Sequence, residues 1–104
     1  MNYRIFHSFT FDEKLKNFPK DFIEWVDKIE TQLMTNPYVG DPIRVKWFRE
    51  KKKDKYRIYY LIYENLNAVY IVDISEKKDQ QQVINAIFLL LKIFKYEIEN
   101  LIKK

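Results

Sequence analysis

The fold is decided by residues 39–84, which read VGDPIRVKWFREKKKDKYRIYYLIYENLNAVYIVDISEKKDQQQVI. Three strand-like runs lie in this segment, at residues 43–51, 56–64 and 68–75. The last two runs are apolar on both faces, which is typical of strands at the centre of a sheet. The runs are joined by short connections, KKKDK and ENLN, and short connections join antiparallel neighbours. The segment therefore predicts a three-stranded antiparallel meander.

The residues before the meander predict one strand and two helices. Residues 2–9 alternate in polarity as a strand does. Thr10 and Glu13 have the spacing of a capping box, so a short helix is expected to begin there. Pro19 suits the first turn of a second helix, and the Asn36–Pro37 pair ends it. The buried side of this second helix is expected to consist of apolar residues at helical spacing: Phe22, Trp25, Val26, Ile29 and Leu33.

Residues 79–104 predict one final helix, whose apolar stripe is wider than one helix face normally carries. The surplus consists of Phe88, Leu89, Ile93 and Tyr96, and we expect another chain to cover it. The overall prediction is an α+β fold in a single domain, residues 1–104. Its order is a strand, two helices, three strands and a helix. The helices are expected to pack on a twisted, mainly antiparallel sheet of four strands.

Composition excludes several classes of site. The chain of 104 residues has no cysteine and a single histidine, His7, so disulfides, thiolate chemistry and ordinary metal sites are not expected. We interpret His7 as structural, and we expect no cofactor. The N-terminus lacks the pattern of a signal peptide, and the longest apolar region, residues 83–96, contains Lys92 and Lys95. These features predict a soluble, cytoplasmic protein with no membrane partner.

The net charge of +4 is concentrated in one predicted hairpin. One interpretation of its lysines is that they protect a sheet edge from aggregation. The other is a surface that binds nucleic-acid phosphates, on which aromatic residues stack against bases. The candidate RNA-binding residues are Arg44, Lys46, Trp47, Lys52, Lys53, Tyr56 and Tyr59.

Two further positions have both a structural and a functional interpretation. Arg57 opens the apolar middle strand, where a guanidinium is costly unless it is paired or used. Asp54 and Glu64 are its structural partners in sequence. The segment SEKKD, residues 75–79, follows a central strand, so Asp79 is either a helix cap or part of a site at the strand end.

The order and spacing of these segments resemble toxins of the RelE/ParE superfamily. VGDPIRVKWFREKKKDKYRIYYLIYE is similar to that family's glycine–proline–leucine stretch, its basic strand and its YR-hydrophobic-hydrophobic-Y strand. VYIVDISEKKDQQ is similar to the next strand and the basic loop after it. The style of these motifs is nearest to an archaeal branch. The resemblance implies a toxin of a type II toxin–antitoxin pair, which cuts mRNA on the ribosome and is inhibited by a cognate antitoxin.

The resemblance also implies roles for particular residues. Arg57 corresponds to the family's arginine after tyrosine, which stabilises the phosphate in catalysis. Arg49 and Lys51 lie where the family has an upstream basic pair, and Lys77 or Lys78 stands for a later basic residue. We expect these side chains to converge on one surface.

One departure leaves three functions open. RelE-type enzymes often place a catalytic tyrosine near the C-terminus, where this chain reads QQQVIN and has Tyr96 inside the last helix. The alternatives to an mRNA endonuclease are a non-nuclease of the same fold, such as a ParE-like gyrase inhibitor or an inactive descendant, and a basic RNA-binding module. The chain that covers the last helix is then either an antitoxin or a second copy, in a homodimer.

Overall fold

The computed structural model describes residues 2–104 and has one five-stranded sheet with helices on both faces. The strands are β1 (Arg4–His7), β2 (Asp41–Ile43), β3 (Val45–Lys53), β4 (Tyr56–Tyr63) and β5 (Ala68–Glu76). The helices are α1 (Phe9–Leu15), α2 (Lys20–Thr35), α3 (Gln80–Leu89) and α4 (Leu91–Ile102). Short 3₁₀ turns cover Pro37–Val39, Glu64–Leu66 and Lys77–Asp79.

The strand order is β1-β5-β4-β3-β2, in which only β1 is parallel to its neighbour. The α+β fold class, the antiparallel meander and the position of the first strand beside a later one are confirmed. The expected count of four strands is wrong. The additional strand, β2, has three residues and contains Pro42, which cannot donate a backbone hydrogen bond and is tolerated at a sheet edge.

Helices α1 and α2 close one face of the sheet over an apolar core. Phe22, Val26, Ile29 and Leu33 of α2 pack against alternate residues of the two central strands. Trp25 is half-buried beside this core, with its ring 5.4 Å from that of Phe22. The expected buried side of α2 is therefore observed.

Helix α1 begins earlier than the sequence pattern indicated. Its N-cap is Ser8, whose Oγ accepts a hydrogen bond from Phe11 N at 3.0 Å. Ser8 Oγ also donates to Val72 O at 2.8 Å, which fixes the cap against β5. The predicted capping box at Thr10 is wrong because a tertiary contact, invisible in sequence, selects Ser8.

The final helical segment is two helices, which corrects the prediction of one. Leu90 has φ −102° and ψ 8°, outside helical values, and separates α3 from α4. On either side of this break, Ile84 and Ile87 of α3 and Phe94 and Ile98 of α4 all reach the sheet, whereas Leu89, Ile93 and Tyr96 of the surplus remain exposed. Phe88 also packs inward, with its ring 5.2 Å from that of Phe48. No helix in residues 2–104 is long and apolar enough to cross a membrane.

Candidate catalytic and nucleic-acid-binding site

A cluster of polar side chains lies on the sheet face that α3 and α4 cover. Arg57 of β4 and Glu50 of β3 form its centre, with Arg57 Nε 3.4 Å from Glu50 Oε1 and only 8% of each side chain exposed. Strand register places them on one face, because Lys52 is opposite Arg57 and Glu50 is opposite Tyr59. Ser75 of β5 is opposite Arg57 on the other side.

Hydrogen bonds connect the remaining members of this cluster. Gln80, the first residue of α3, donates from Nε2 to both carboxylate oxygens of Glu50, at 3.3 and 3.2 Å. The hydroxyls of Tyr59 and Ser75 are 2.7 Å apart. Arg57 Nη1 donates to the carbonyl of Lys55 at 3.4 Å. We call Glu50, Arg57, Tyr59, Ser75 and Gln80 the polar cluster.

Burial determines the electrostatics of the polar cluster. Burial raises the pKa of Glu50, and the nearby charges of Lys52 and Arg57 oppose this effect without cancelling it. Burial likewise raises the pKa of the Tyr59 hydroxyl, which stays protonated at neutral pH. A carboxylate with a raised pKa can accept and return a proton, and a guanidinium beside it can stabilise an anion. The pair therefore suits chemistry on a phosphate.

Exposed lysines surround the polar cluster. Lys52 extends from β3, Lys55 lies in the β3–β4 turn, and Lys77 and Lys78 occupy the turn before α3. The two turns are joined, because Lys77 N donates to the carbonyl of Lys55 at 2.8 Å. The only carboxylates that these side chains contact in residues 2–104 are Asp41 and Glu76. We call Lys52, Lys55, Lys77 and Lys78 the lysine rim.

The structure does not bring Arg49 and Lys51 to this site. Arg49 is opposite Tyr60 and Lys51 is opposite Ile58, and both partners belong to the core under α1 and α2. Arg49 donates to the carbonyls of Gly40 at 2.9 Å and Lys46 at 2.8 Å, so its guanidinium is used structurally. The expected convergence with Arg57 fails because neighbouring residues of a strand point to opposite faces.

The predicted RNA-binding aromatics are only partly accessible. Tyr59 is fully buried, and Tyr56 packs edge-on against Phe18 in the core under α1 and α2. Neither ring is free to stack on a base. Trp47 is exposed and lines a cleft of about 870 Å³ with Lys46 and other residues.

The other cationic candidates lie outside the polar cluster. Arg44 packs over the ring of Phe88, and Lys46 lies over the ring of Tyr38. Lys53 is opposite Tyr56 and shares its face of the sheet. Of the predicted set, the structure thus gathers five residues in one place, with Tyr59 buried among them: Arg57, Tyr59, Lys52, Lys77 and Lys78.

Sequence reasoning missed Glu50 and Gln80 as members of the site, and it included Ser75 only as part of the SEKKD segment. Glu50 was overlooked among lysines, although a signal was available. The two-residue turn between β3 and β4 pairs Lys53 with Tyr56 and so fixes the register of the hairpin. In that register four residues share one face of the sheet: Glu50, Lys52, Arg57 and Tyr59. Gln80 could not have been found in this way, because its contact depends on where α3 begins. Within residues 2–104, no three His, Cys, Asp or Glu side chains form a group that could hold a metal ion.

Comparison with protein-family models and with curated proteins gives no match, whereas solved structures do match. The free RelE toxin of E. coli, as an arginine-to-alanine double mutant, has a TM-score of 0.73 at 12% identity, covering 86% of this chain and 99% of that one. This chain has the RelE fold. Its resemblance to the RelE/ParE superfamily is confirmed at the level of the fold.

Two toxin–antitoxin complexes match as well. The RelBE2 complex of Mycobacterium tuberculosis has a TM-score of 0.64 at 21% identity, covering 73% of this chain and 99% of the matched chain. The intact RelBE complex of E. coli has a TM-score of 0.64 at 12% identity, covering 71% and 95%.

Proposed function

We propose that this protein is a RelE-type toxin of a type II toxin–antitoxin pair, which inhibits translation by cutting mRNA bound to the ribosome. The observation that carries the proposal is the contact between Glu50 and Arg57 on the sheet of a RelE fold, within the lysine rim. It joins a proton acceptor and an anion stabiliser to a surface that attracts phosphates.

The proposed reaction is attack of a ribose 2′-hydroxyl on the adjacent phosphate. Glu50 accepts the proton of the 2′-hydroxyl, and Arg57 stabilises the negative charge that develops on the phosphate oxygens. The 2′-oxygen forms a bond to phosphorus, and the bond to the 5′-oxygen breaks. Lys77 or Lys78 then donates a proton to the leaving 5′-oxygen. The products are a 2′,3′-cyclic phosphate and a 5′-hydroxyl end.

The lysine rim is proposed to hold the RNA backbone. Since Arg57 and Glu50 are each 8% exposed, the phosphate is expected to approach them from the side of the rim. Each lysine that contacts a phosphate should contribute about one unit to the slope of log affinity against log salt concentration. Trp47 lies at the other end of β3, so base stacking there would involve a separate stretch of the RNA.

The proposed protein partner is a cognate antitoxin. Leu89, Ile93 and Tyr96, which we call the apolar strip, are 86%, 53% and 69% exposed on α3 and α4. Exposed apolar residues on adjacent helices suit an amphipathic partner segment. The solved RelBE complexes support an antitoxin in this role, and a second copy of this chain is the alternative.

A non-nuclease of the same fold is the second candidate, and the position of Tyr96 favours it. Tyr96 lies beside His7 and Phe9 at the β1 edge, whereas Arg57 lies in the central strand β4. Tyr96 therefore cannot substitute for the family's catalytic tyrosine at the polar cluster. A ParE-like gyrase inhibitor and an inactive descendant both fit this observation. The third candidate, a basic RNA-binding module, accounts for the lysine rim but gives no role to the buried pair of Glu50 and Arg57.

The test is cleavage of mRNA on purified ribosomes, with the new 5′ ends mapped. Wild type should cut, and Arg57→Ala and Glu50→Gln should each lower the rate by about 100-fold or more. Arg4→Ala, which removes an exposed arginine from the edge strand β1, is the matched control and should cut as wild type does. Both site variants should still bind the antitoxin, which shows that they are folded. If folded wild type cuts no ribosome-bound mRNA, the non-nuclease candidate replaces this proposal.

A further inference from the structure

Gln80 donates hydrogen bonds to Glu50 but has no role in the proposed reaction. It is the first residue of α3, and its side-chain amide faces the carboxylate of Glu50. We infer that Gln80 is a positioning residue, which holds the Glu50 carboxylate in the orientation that faces Arg57. This inference rests on the proposed function, because it assigns Gln80 a part in the same reaction.

The first argument is that Glu50 has few polar contacts. Within residues 2–104, Gln80 is the one side chain that donates hydrogen bonds to it, at 3.3 Å to Oε1 and 3.2 Å to Oε2. Tyr59, the cross-strand neighbour of Glu50, directs its hydroxyl to Ser75 instead. A carboxylate has about four acceptor sites, so the loss of Gln80 would leave Glu50 poorly satisfied in a buried setting.

The second argument is electrostatic. The charged groups around Glu50 are Arg57 on β4, Lys52 on its own strand and Asp41 on the edge strand β2. Burial and Asp41 raise the pKa of Glu50, whereas Lys52, Arg57 and the Gln80 hydrogen bond lower it. Gln80 thus acts with the two cations to keep Glu50 ionised, which a proton acceptor must be. It does so without adding a charge that would compete for the phosphate.

The chain contains a matched control for Gln80. The next residue, Gln81, donates from Nε2 to Asn85 Oδ1 at 2.9 Å on the exposed side of α3. Gln81 has the same side chain in the same helical turn, and within residues 2–104 its amide makes no hydrogen bond to the polar cluster. Gln80→Met and Gln81→Met both keep the length of the side chain and remove its donor, but only Gln80→Met removes the contact with Glu50.

The experiment is an NMR titration of the Glu50 side-chain carboxyl in wild type, Gln80→Met and Gln81→Met. We expect the pKa of Glu50 to rise by about half a unit to one unit in Gln80→Met and to stay unchanged in Gln81→Met. The acid limb of the pH–rate profile for mRNA cleavage should move upward by the same amount. An unchanged pKa of Glu50 in Gln80→Met would overturn the inference, as would a lower rate without any shift of the acid limb.

The two readouts separate this inference from the proposed function. The titration needs no substrate, so it decides whether Gln80 acts on Glu50 even if the protein cuts no RNA. Absence of cleavage by wild type overturns the nuclease proposal and the catalytic part of the inference. Cleavage by wild type together with an unchanged Glu50 pKa in Gln80→Met overturns the inference alone.

Discussion

The sheet face under α1 and α2 buries aromatic and aliphatic side chains, whereas the face under α3 and α4 also buries a carboxylate and a guanidinium. The two faces differ at their outer surfaces as well. The outer side of α2 is charged, but the apolar strip of α3 and α4 is exposed to solvent. The inner side of the α1–α2 face has the apolar arrangement expected of a core, whereas the α3–α4 face departs from it both in its buried charges and in its exposed apolar strip.

This difference indicates that the α1–α2 face mainly stabilises the fold, whereas the α3–α4 face carries the features expected of a functional site. A buried ion pair is weak support for a fold, because the desolvation of its two charges can exceed their mutual attraction. Exposed apolar residues lower solubility unless a partner covers them. The buried ion pair and the exposed apolar strip both lie on the α3–α4 side. On this side, therefore, the chain contains residues that do not maximise the stability of the fold. Departures of this kind are expected at functional sites.

The largest expected effect comes from separating the buried pair. Arg57→Met should lower the free energy of unfolding by about 3–5 kcal/mol, because it leaves the charge of Glu50 buried without its cation. Arg57→Met with Glu50→Leu should recover most of that loss, since both charges are then absent. Urea denaturation of wild type, Arg57→Met and the double variant measures these free energies of unfolding.

The control is Lys51→Met, which removes a cation from the other face of the same hairpin and should change stability by less than about 1 kcal/mol. Equal losses for Arg57→Met and Lys51→Met would contradict the contrast between the two faces. A double variant less stable than Arg57→Met would contradict the explanation by an unpaired charge. It would show that Glu50 stabilises the fold through contacts other than the one with Arg57.

The fold could be predicted because its signals are local. Apolar runs such as residues 56–63 specify central strands by themselves, and the turns between them are too short for any pairing other than an antiparallel one. The break at Leu90 could not be predicted, since apolar residues continue through it with no proline or glycine. The turn there depends on how α3 and α4 each fit the sheet.

The site was predicted less completely, because it depends on which face each residue occupies. Arg57 was identified from its unusual place in an apolar strand. The family resemblance assigns Arg49 and Lys51 to the same site, although the alternation of the strand separates them from Arg57. The carboxylate partner of Arg57 was expected at Asp54 or Glu64, nearby in sequence. The actual partner, Glu50, is a neighbour across the hairpin.

The next effect concerns the apolar strip. Ile93→Glu should weaken the affinity for the antitoxin by about tenfold or more, roughly 1.4 kcal/mol, because it places a charge in an apolar contact. Lys92→Gln, at the neighbouring exposed position, changes the net charge by the same one unit, so it is the control for charge and should have a smaller effect. Calorimetric titration measures both affinities, and light scattering of the isolated protein tests for a homodimer. An unchanged affinity in Ile93→Glu, with no dimer, would show that this strip is not an interface.

The smallest expected effect is a pH dependence of stability caused by His7, which joins two helices at the edge of the α1–α2 face. His7 Nδ1 is 2.8 Å from Asp12 Oδ1 of α1, and Nε2 is 2.5 Å from Glu30 Oε1 of α2. Both nitrogens can donate only when the ring is protonated. The hydrogen bond with Glu30 is the main cause that raises the pKa of His7, with Asp12 adding to it and burial opposing it.

The sign of the resulting pH dependence follows from that direction. The folded pKa lies above the unfolded value of about 6.5, so the stabilisation is complete below about pH 6.5 and is lost as the pH rises through the folded pKa. His7→Gln should remove this dependence and lower stability at mildly acidic pH by about 1 kcal/mol. Because His7 is the chain's single histidine, urea midpoints of both proteins between about pH 6 and pH 9 assign the slope to it. Parallel curves for the two proteins would show that the imidazole is not charged between the carboxylates, and the α1–α2 face would then be held by its apolar core alone.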